Sequence, residues 1–453
     1  MPYRLMVLVA AVLCAAPLGA QQGGGFAFGT LRAQAALQQA WLRLRLDRQL
    51  LPLMREYGVG CWVIPMREYN EDPTFPALVA PTTFAARRRT IYLFCDRGTQ
   101  GLEKIALGGS NQGGVYLALR STRPAPGGGS AGRTAELMGD QQWQLLRDLL
   151  VERDPATIAV NRSRTFAFAD GLTAAEWDAM REALGDALVA RVKDAEGLAV
   201  DFLALRLPEE EAIYRQLQQV VWEMIGTMFS HAVIVPGETR TSDLVWWWRE
   251  ETRRRGLTTW FQPSITVQRA GATAETLGDD PVILPGDLLW CDVGLVALGL
   301  HTDTRHNAYV LKPGETDAPA GLRAALARSN RLQDILFETI RPGRTGNEVL
   351  AAARALMQRD GITGTIYSHP IGLNGHGAGP LVGLWDNQDG VPGRGDHRVR
   401  AGTWFSSELQ ATVAIPEWGG QEVRMAQEED FLLGADGWPR WFHRRQSAFH
   451  LVR

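Results

Sequence analysis

The chain has 453 residues, too many for one compact core and enough for two or three domains. Hydrophobic residues make up 45% and charged residues 21%, which excludes both a disordered chain and a multi-span membrane protein. The formal net charge is −3 with no concentration of basic residues, so nucleic acid is not an expected partner.

In chain order, Arg4 precedes an apolar run over residues 5–18 that ends in Gly19-Ala20 and is followed by Gln21-Gln22. This is the charged start, apolar middle and small-residue exit of a secretory signal, and it is too short to span a bilayer comfortably. A signal peptide over residues 1–20, a linker over 21–39 and an exported chain, secreted or periplasmic and without a membrane segment, are therefore expected. Beyond the leader the cysteines are Cys61, Cys95 and Cys291, with no metal-type spacing. Cys61 and Cys95 lie in apolar runs that read as neighbouring strands and could be bridged, but three buried thiols are the preferred reading.

Residues 40–204 alternate between helix and strand, the pattern of an α/β domain. Helical periodicity runs from Trp41 to Tyr57, and short apolar runs at 59–64, 90–94, 115–119 and 157–160 read as strands. A long helix then opens at Pro208, with Glu209-Glu210-Glu211 complementing its dipole, and runs to about His231. A second helix, from the Ser242-Asp243 cap to Gly256, carries Trp246-Trp247-Trp248 pointing in three directions. Downstream, one helix ends at Ile340 and another at Gly361. Ile234-x-Pro236-Gly237-x-Thr239 and Ile340-x-Pro342-Gly343-x-Thr345 hold the same place in two similar units. They are too far apart for a solenoid repeat and indicate an internal duplication, a pseudo-two-fold domain with a site at its junction.

Each unit carries a pair of acids. A hairpin turning at Ala297-Leu298 sets Asp292 opposite Asp303, with Cβ atoms roughly 5 Å apart, where like charges need a proton or a cation between them. In the second unit, strands over 403–413 and 423–433 set Glu408 opposite Glu428 around the turn at Pro416 to Gly420. Between them lies Ser368-His369-Pro370-Ile371-Gly372-Leu373-Asn374-Gly375-His376-Gly377. One imidazole among four carboxylates is a donor set suited to Mn²⁺, Co²⁺, Fe²⁺ or Zn²⁺, and the charge of the four acids is what two divalent ions would neutralise.

The order Asp292, Asp303, His369, Glu408, Glu428 resembles that of the pita-bread metallopeptidases: methionine aminopeptidase, aminopeptidase P and prolidase. Gly286-Asp287-Leu288-Leu289-x-x-Asp292-x-Gly294 and Thr302-Asp303-Thr304-Arg305 are similar to their first two ligand strands. His369-Pro370-Ile371-Gly372 is similar to their His-Gly-Ile-Gly segment, and Ser407-Glu408 and Glu428-Glu429-Asp430 to their Glu strands. The resemblance covers residues 205–453. Residues 40–204 resemble the N-terminal domain shared by aminopeptidase P, prolidase and creatinase. The implied fold is an N-terminal α/β creatinase-like domain followed by a pseudo-two-fold α+β pita-bread catalytic domain.

What the resemblance implies for the site is specific. Asp303 and Glu428 would bridge two divalent ions, Mn²⁺ foremost with Co²⁺, Zn²⁺ or Fe²⁺ as alternatives. Asp292 would cap one ion, and His369 with Glu408 would hold the other. Glu408 would carry the proton of a bridging water, His376 would steady the carbonyl oxygen, and an Xaa-Pro or other N-terminal peptide bond would be hydrolysed. Two departures stand out. The family's further His upstream of the first Asp is replaced at Ala274 and Glu275, which keeps open a non-peptidase metallohydrolase or lyase, or a catalytically weak binding protein. Glu429 competes with Glu428 for the last ligand position, and strand parity with Phe431 and Leu433 favours Glu428. His301 and His306 flank Asp303 as alternative ligands, while His231, His397, His443 and His450 read as surface or capping residues. The expected partner is a peptide substrate; monomer and homodimer both stay open.

Overall fold

The structure is a computed structural model that describes residues 27–121 and 135–453; the expected signal peptide lies outside the described residues. The first layer is a six-stranded sheet of β1 (Cys61–Arg67), β2 (Arg89–Asp96), β3 (Leu102–Leu107), β4 (Leu117–Leu119), β5 (Ile158–Val160) and β6 (Val192–Asp194). Its order is β4-β3-β2-β1-β5-β6. The apolar runs expected as strands are all in it. β1 and β2 pair antiparallel with Cys61 directly opposite Cys95, and the two form a disulfide. The preferred expectation of three free thiols is thus corrected: cross-strand register brings two sulfurs together, and Cys291 alone stays a buried thiol. The bridge closes a sequence separation of 34 residues, so replacing both cysteines by alanine should cost about 3 kcal/mol. A midpoint of unfolding that does not move with reductant would contradict this.

The helix expected from Trp41 begins earlier, at Leu31, so residues 31–39 of the expected linker are helical. Leu31–Arg45 passes through a wide turn at Leu46–Leu50 into Leu51–Glu56. The Thr30 side chain caps it by accepting from the Ala33 N–H. The first turns are largely exposed and carry no apolar stripe, which is why periodicity missed them, while Trp41 packs into the core of the second half.

That second half repeats a helix pair. Pro208–Met228 and Thr241–Arg254 precede one sheet; Ala320–Thr339 and Gly346–Arg359 precede the other. Glu210 does more than complement the helix dipole: fully buried, it accepts from the Leu207 N–H at 2.9 Å and pairs with buried Arg45 of the N-terminal helix. Trp248 is buried and Trp246 exposed, as three successive helical positions require. No helix among the described residues is long and apolar enough to cross a membrane.

The strands following the first helix pair are β7 (Ser264–Gln268), β8 (Leu288–Val293), β9 (Val296–Ala297), β10 (Leu300–His301) and β11 (Thr304–Val310). After the second pair come β12 (Gly364–Pro370), β13 (Thr403–Ile415), β14 (Gln421–Gln427), β15 (Asp430–Leu433), β16 (Pro439–Trp441) and β17 (His450–Val452). One sheet has the order β17-β11-β8-β7; the other has β12-β13-β15-β16, with β14 also on β13. The sheets meet where the Arg305 N–H donates to the Glu428 carbonyl and the Glu428 N–H donates to the Arg305 carbonyl, each at 3.1 Å. The second strand expected over 423–433 is interrupted there, at Glu428-Glu429.

The register at this junction departs from expectation on one side only. Leu409 faces Gln427 and Ser406 faces Asp430, the register that sets Glu408 against Glu428 as expected. On the other side the tight turn is Leu298-Gly299, not Ala297-Leu298: Ala297 pairs with Leu300, and both turn residues have positive φ (50° and 77°). A two-residue turn with two positive φ values matches the twist of its strands, and Gly299 supplies one of them without strain. Moving the turn by one residue moves the register by two. Asp292 therefore faces Arg305, and Asp303 lies further along the same face.

Candidate metal centre

The ends of β8 and β12, the residue before β11, the middle of β13 and the break between β14 and β15 bring together Asp292, Asp303, His369, Glu408 and Glu428. His369 is fully buried; its Nδ1 lies 3.1 Å from the Pro370 carbonyl, an arrangement that protonates Nδ1 and turns the Nε2 lone pair inward. Nε2 is 3.4 Å from Glu428 Oε1, 3.8 Å from Asp303 Oδ2 and 4.0 Å from Glu408 Oε2. The ligand atoms of His369, Glu408 and Glu428, and separately those of Asp292, Asp303 and Glu428, all lie within 4.8 Å of one another.

Burial makes this cluster costly without a cation. Asp303 Oδ1 and His369 Nε2 are buried with no hydrogen-bond partner. Burial, then the repulsion of Glu428 and Asp292, pushes the Asp303 carboxyl well above the usual carboxylate range. Burial, then Glu428, pushes Glu408 up to about 7, and burial foremost pushes Glu428 up to about 7 as well. Burial holds the His369 imidazole below its ordinary range, hence neutral and able to donate its lone pair. Unpartnered, inward-facing oxygens around one neutral imidazole fit a hard or borderline divalent ion.

Each expected site residue can be located. His376 is exposed at the mouth, its ring 4.7 Å from that of His369 and edge-on to it, and 5.1 Å from that of Trp260. Glu429 points away: its carboxylate meets His306 Nε2 at 2.9 Å and accepts the Gln446 N–H at 3.0 Å. The same contact removes His306 from the centre. His301 stands apart too, with Nδ1 3.3 Å from the Gly372 carbonyl. His450, expected on the surface, is half-buried with Nε2 3.0 Å from His306 Nδ1, because β17 lies beside β11. His397 pairs with Asp201 at 2.8 Å, and Ala274 and Glu275 lie in a short exposed helix.

Three participants escaped sequence reasoning. Arg305 puts Nε and Nη2 on Asp292 Oδ2 at 2.8 and 2.6 Å, Nη1 on Glu408 Oε1 at 2.5 Å and Nε 3.2 Å from Glu428 Oε2. Strand alternation could have found it, since positions 303 and 305 share a face. Asp430 accepts the Asp303 N–H at 3.1 Å and the Tyr214 hydroxyl at 2.8 Å, fixing the backbone under Asp303. Trp260 donates from its indole to the Thr302 carbonyl at 2.8 Å and covers Gly375, where a Cβ would lie 2.3 Å from the ring. Gly375→Ala should therefore displace both Trp260 and His376 and lower kcat/KM by about 10–100-fold with metal retained, the size of effect expected of a supporting shell. Unchanged kinetics in that variant would show that the loop tolerates the shift.

Beside the centre a cavity of about 200 Å³ is walled by Trp290, Tyr367, Trp385 and Arg424, with Arg305 and Glu408 at its inner end.

Residues 212–433 match the model of metallopeptidase family M24. No curated protein matches the chain. Among solved structures it is similar to an X-Pro aminopeptidase from Thermotoga maritima MSB8, at a TM-score of 0.60 and 15% identity over 88% of this chain and 100% of that one. It is similar to a Xaa-Pro dipeptidase from Bacillus anthracis (0.57, 16%, 92% of this chain and 100% of that one). It is also similar to the N-terminal domain of the FACT complex subunit SPT16 from Cicer arietinum (0.56, 11%, 92% and 99%). At these identities the likeness is one of fold, an N-terminal domain followed by a pita-bread domain.

Proposed function

We infer, for a chain whose residues 212–433 belong to metallopeptidase family M24, that the protein is a divalent-metal-dependent aminopeptidase of the Xaa-Pro type. The observation that carries this is the set of inward-facing, unpartnered donor atoms of Asp303 and His369 beside Glu408 and Glu428. Asp292, Asp303, His369, Glu408 and Glu428 would hold the metal, which when bound lowers the pKa of water and polarises a carbonyl. Four carboxylates are ligands enough for the two ions that the family resemblance implies, and Mn²⁺ suits them first.

The chain's own residues would do the rest. Glu408 lines the aromatic cavity, and its carboxylate would take a proton from the attacking water and give it to the leaving amine. His376, at the mouth, would donate to the carbonyl oxygen as charge develops on it. Trp290, Tyr367 and Trp385 offer flat apolar faces to a proline ring. Residues 205–453 would form the catalytic domain and 40–204 the creatinase-like domain beside it. The Cys61–Cys95 disulfide is at home in an oxidising compartment, which supports export to the periplasm or outside by the leader over residues 1–20.

A second reading is favoured by Ala274 and Glu275 where the family's upstream His would stand: a binding protein, or a hydrolase of another substrate class, on the same fold. Release of the N-terminal residue from Xaa-Pro peptides by Mn²⁺-loaded protein, lost in Asp303→Asn, is the expected result. Metal binding without cleavage of any peptide in a broad panel would transfer the case to the second reading.

A further inference from the structure

We propose that Arg305 stands in the place of a second cation and that this centre takes a single divalent ion, held by His369, Asp303, Glu408 and Glu428. This rests on the metal-dependent reading above and departs from its two-ion form. The four acids present two sets of oxygens. Asp303 Oδ2, Glu408 Oε2 and Glu428 Oε1 turn toward His369 Nε2, 3.4–4.0 Å from it. Donors in a tetrahedron of bonds about 2.1 Å long stand about 3.4 Å apart, the distance already found between His369 Nε2 and Glu428 Oε1.

Three of the other five oxygens are already engaged, while Asp303 Oδ1 has no hydrogen-bond partner. Asp292 Oδ2, Glu408 Oε1 and Glu428 Oε2 all face the guanidinium of Arg305, at 2.5–3.2 Å. The cluster of Asp292, Asp303 and Glu428, where a second ion would sit, is spanned by that guanidinium from Asp292 to Glu428. Arg305 cannot leave easily. It is held by three carboxylates, its Cζ lies 5.7 Å from the Trp290 ring centre, and its backbone forms the bridge to Glu428 that joins the two sheets. A guanidinium keeps its charge at any ordinary pH. A second dication would therefore sit against a fixed positive charge and would have to take its ligands from that charge. The neutrality that pointed to two ions is also altered, because four carboxylates, once all are ionised, and one guanidinium sum to −3.

The test is a metal count on the full-length mature protein. After loading with Mn²⁺ and gel filtration, elemental analysis and titration calorimetry should give one ion per chain, and the electron paramagnetic resonance spectrum should be the uncoupled six-line signal of an isolated Mn²⁺. Arg305→Met, which keeps a flexible apolar stem and removes the charge, should raise the count to two and bring in an exchange-coupled spectrum. Two ions in the wild-type protein would overturn the proposal while leaving the metallopeptidase reading intact, and so would one ion in the folded Arg305→Met variant. No ion in the wild-type protein would overturn both. The wild-type count and spectrum decide the matter even if the variant does not fold.

Discussion

Replacing His369 by asparagine is expected to lower divalent-metal affinity by about 100-fold or more and peptide hydrolysis by about 1000-fold, with the fold retained. His369 is the fully buried imidazole facing the acids, while His376 is exposed beside it, and the Nδ1 contact of His369 with the Pro370 carbonyl commits its Nε2 to the centre. Asparagine keeps much of the volume and some polarity but withdraws the lone pair. The neighbouring Glu429 provides the contrast. Its carboxylate is equally buried but is bound to His306 and the Gln446 N–H, so Glu429→Gln should lower the unfolding midpoint and leave metal content unchanged. Elemental analysis of the two variants side by side is the measurement. Metal retained in His369→Asn, or lost in Glu429→Gln, would mean that the ligand set has been drawn on the wrong face of the strand.

The second large effect concerns pH. Glu408 and Glu428 are pushed up to about 7 in the metal-free protein, chiefly by burial, and Asp303 is raised further. Their folded-state values lie above the unfolded value near 4.3, so their contribution to stability is complete below that pH and is lost as the pH rises through the folded values. The metal-free protein should therefore lose roughly 5 °C or more in Tm between pH 5 and pH 8. A divalent ion takes the place of the protons. Metal affinity should accordingly rise about tenfold per pH unit for each proton displaced over the same interval, and the rise in Tm on adding Mn²⁺ should be larger at pH 8 than at pH 5. Thermal unfolding with chelator and with Mn²⁺ at the two pH values measures this. An equal metal effect at both would show that the acids are already ionised when the site is empty.

Much of the architecture could be read from residue patterns because the patterns are local. Pro208 and the acids behind it mark a helix start that is found at that residue, and the apolar runs at 59–64, 90–94 and 157–160 are buried strands of one sheet. Alternation along β15 places Phe431 and Leu433 in the apolar core, consistent with Glu428 facing the other way. The weaker expectations failed where a single residue carried the geometry. Reading the hairpin as turning at Ala297-Leu298 missed that Gly299 favours the turn one position later, and that shift exchanged Asp303 for Arg305 opposite Asp292. The face of Arg305 was legible from its spacing to Asp303, but a basic residue on a strand is ordinarily solvated, so its place in the ligand motif brought it no role at the centre.

The sequence by itself pointed to the residues of the candidate centre, one histidine and four acids, which the structure brings close together. It also determined the duplicated helix pairs that precede the sheets carrying them, since caps, prolines and apolar periods act over a few residues. Only the tertiary structure decided which oxygen of each acid turns toward His369 and which toward Arg305, that Cys61 and Cys95 are joined, and that Glu429 is taken up by His306. These depend on contacts between segments distant in the chain. There the register of a strand, set by one turn, and the exclusion of water from the junction of two sheets determine which charges meet.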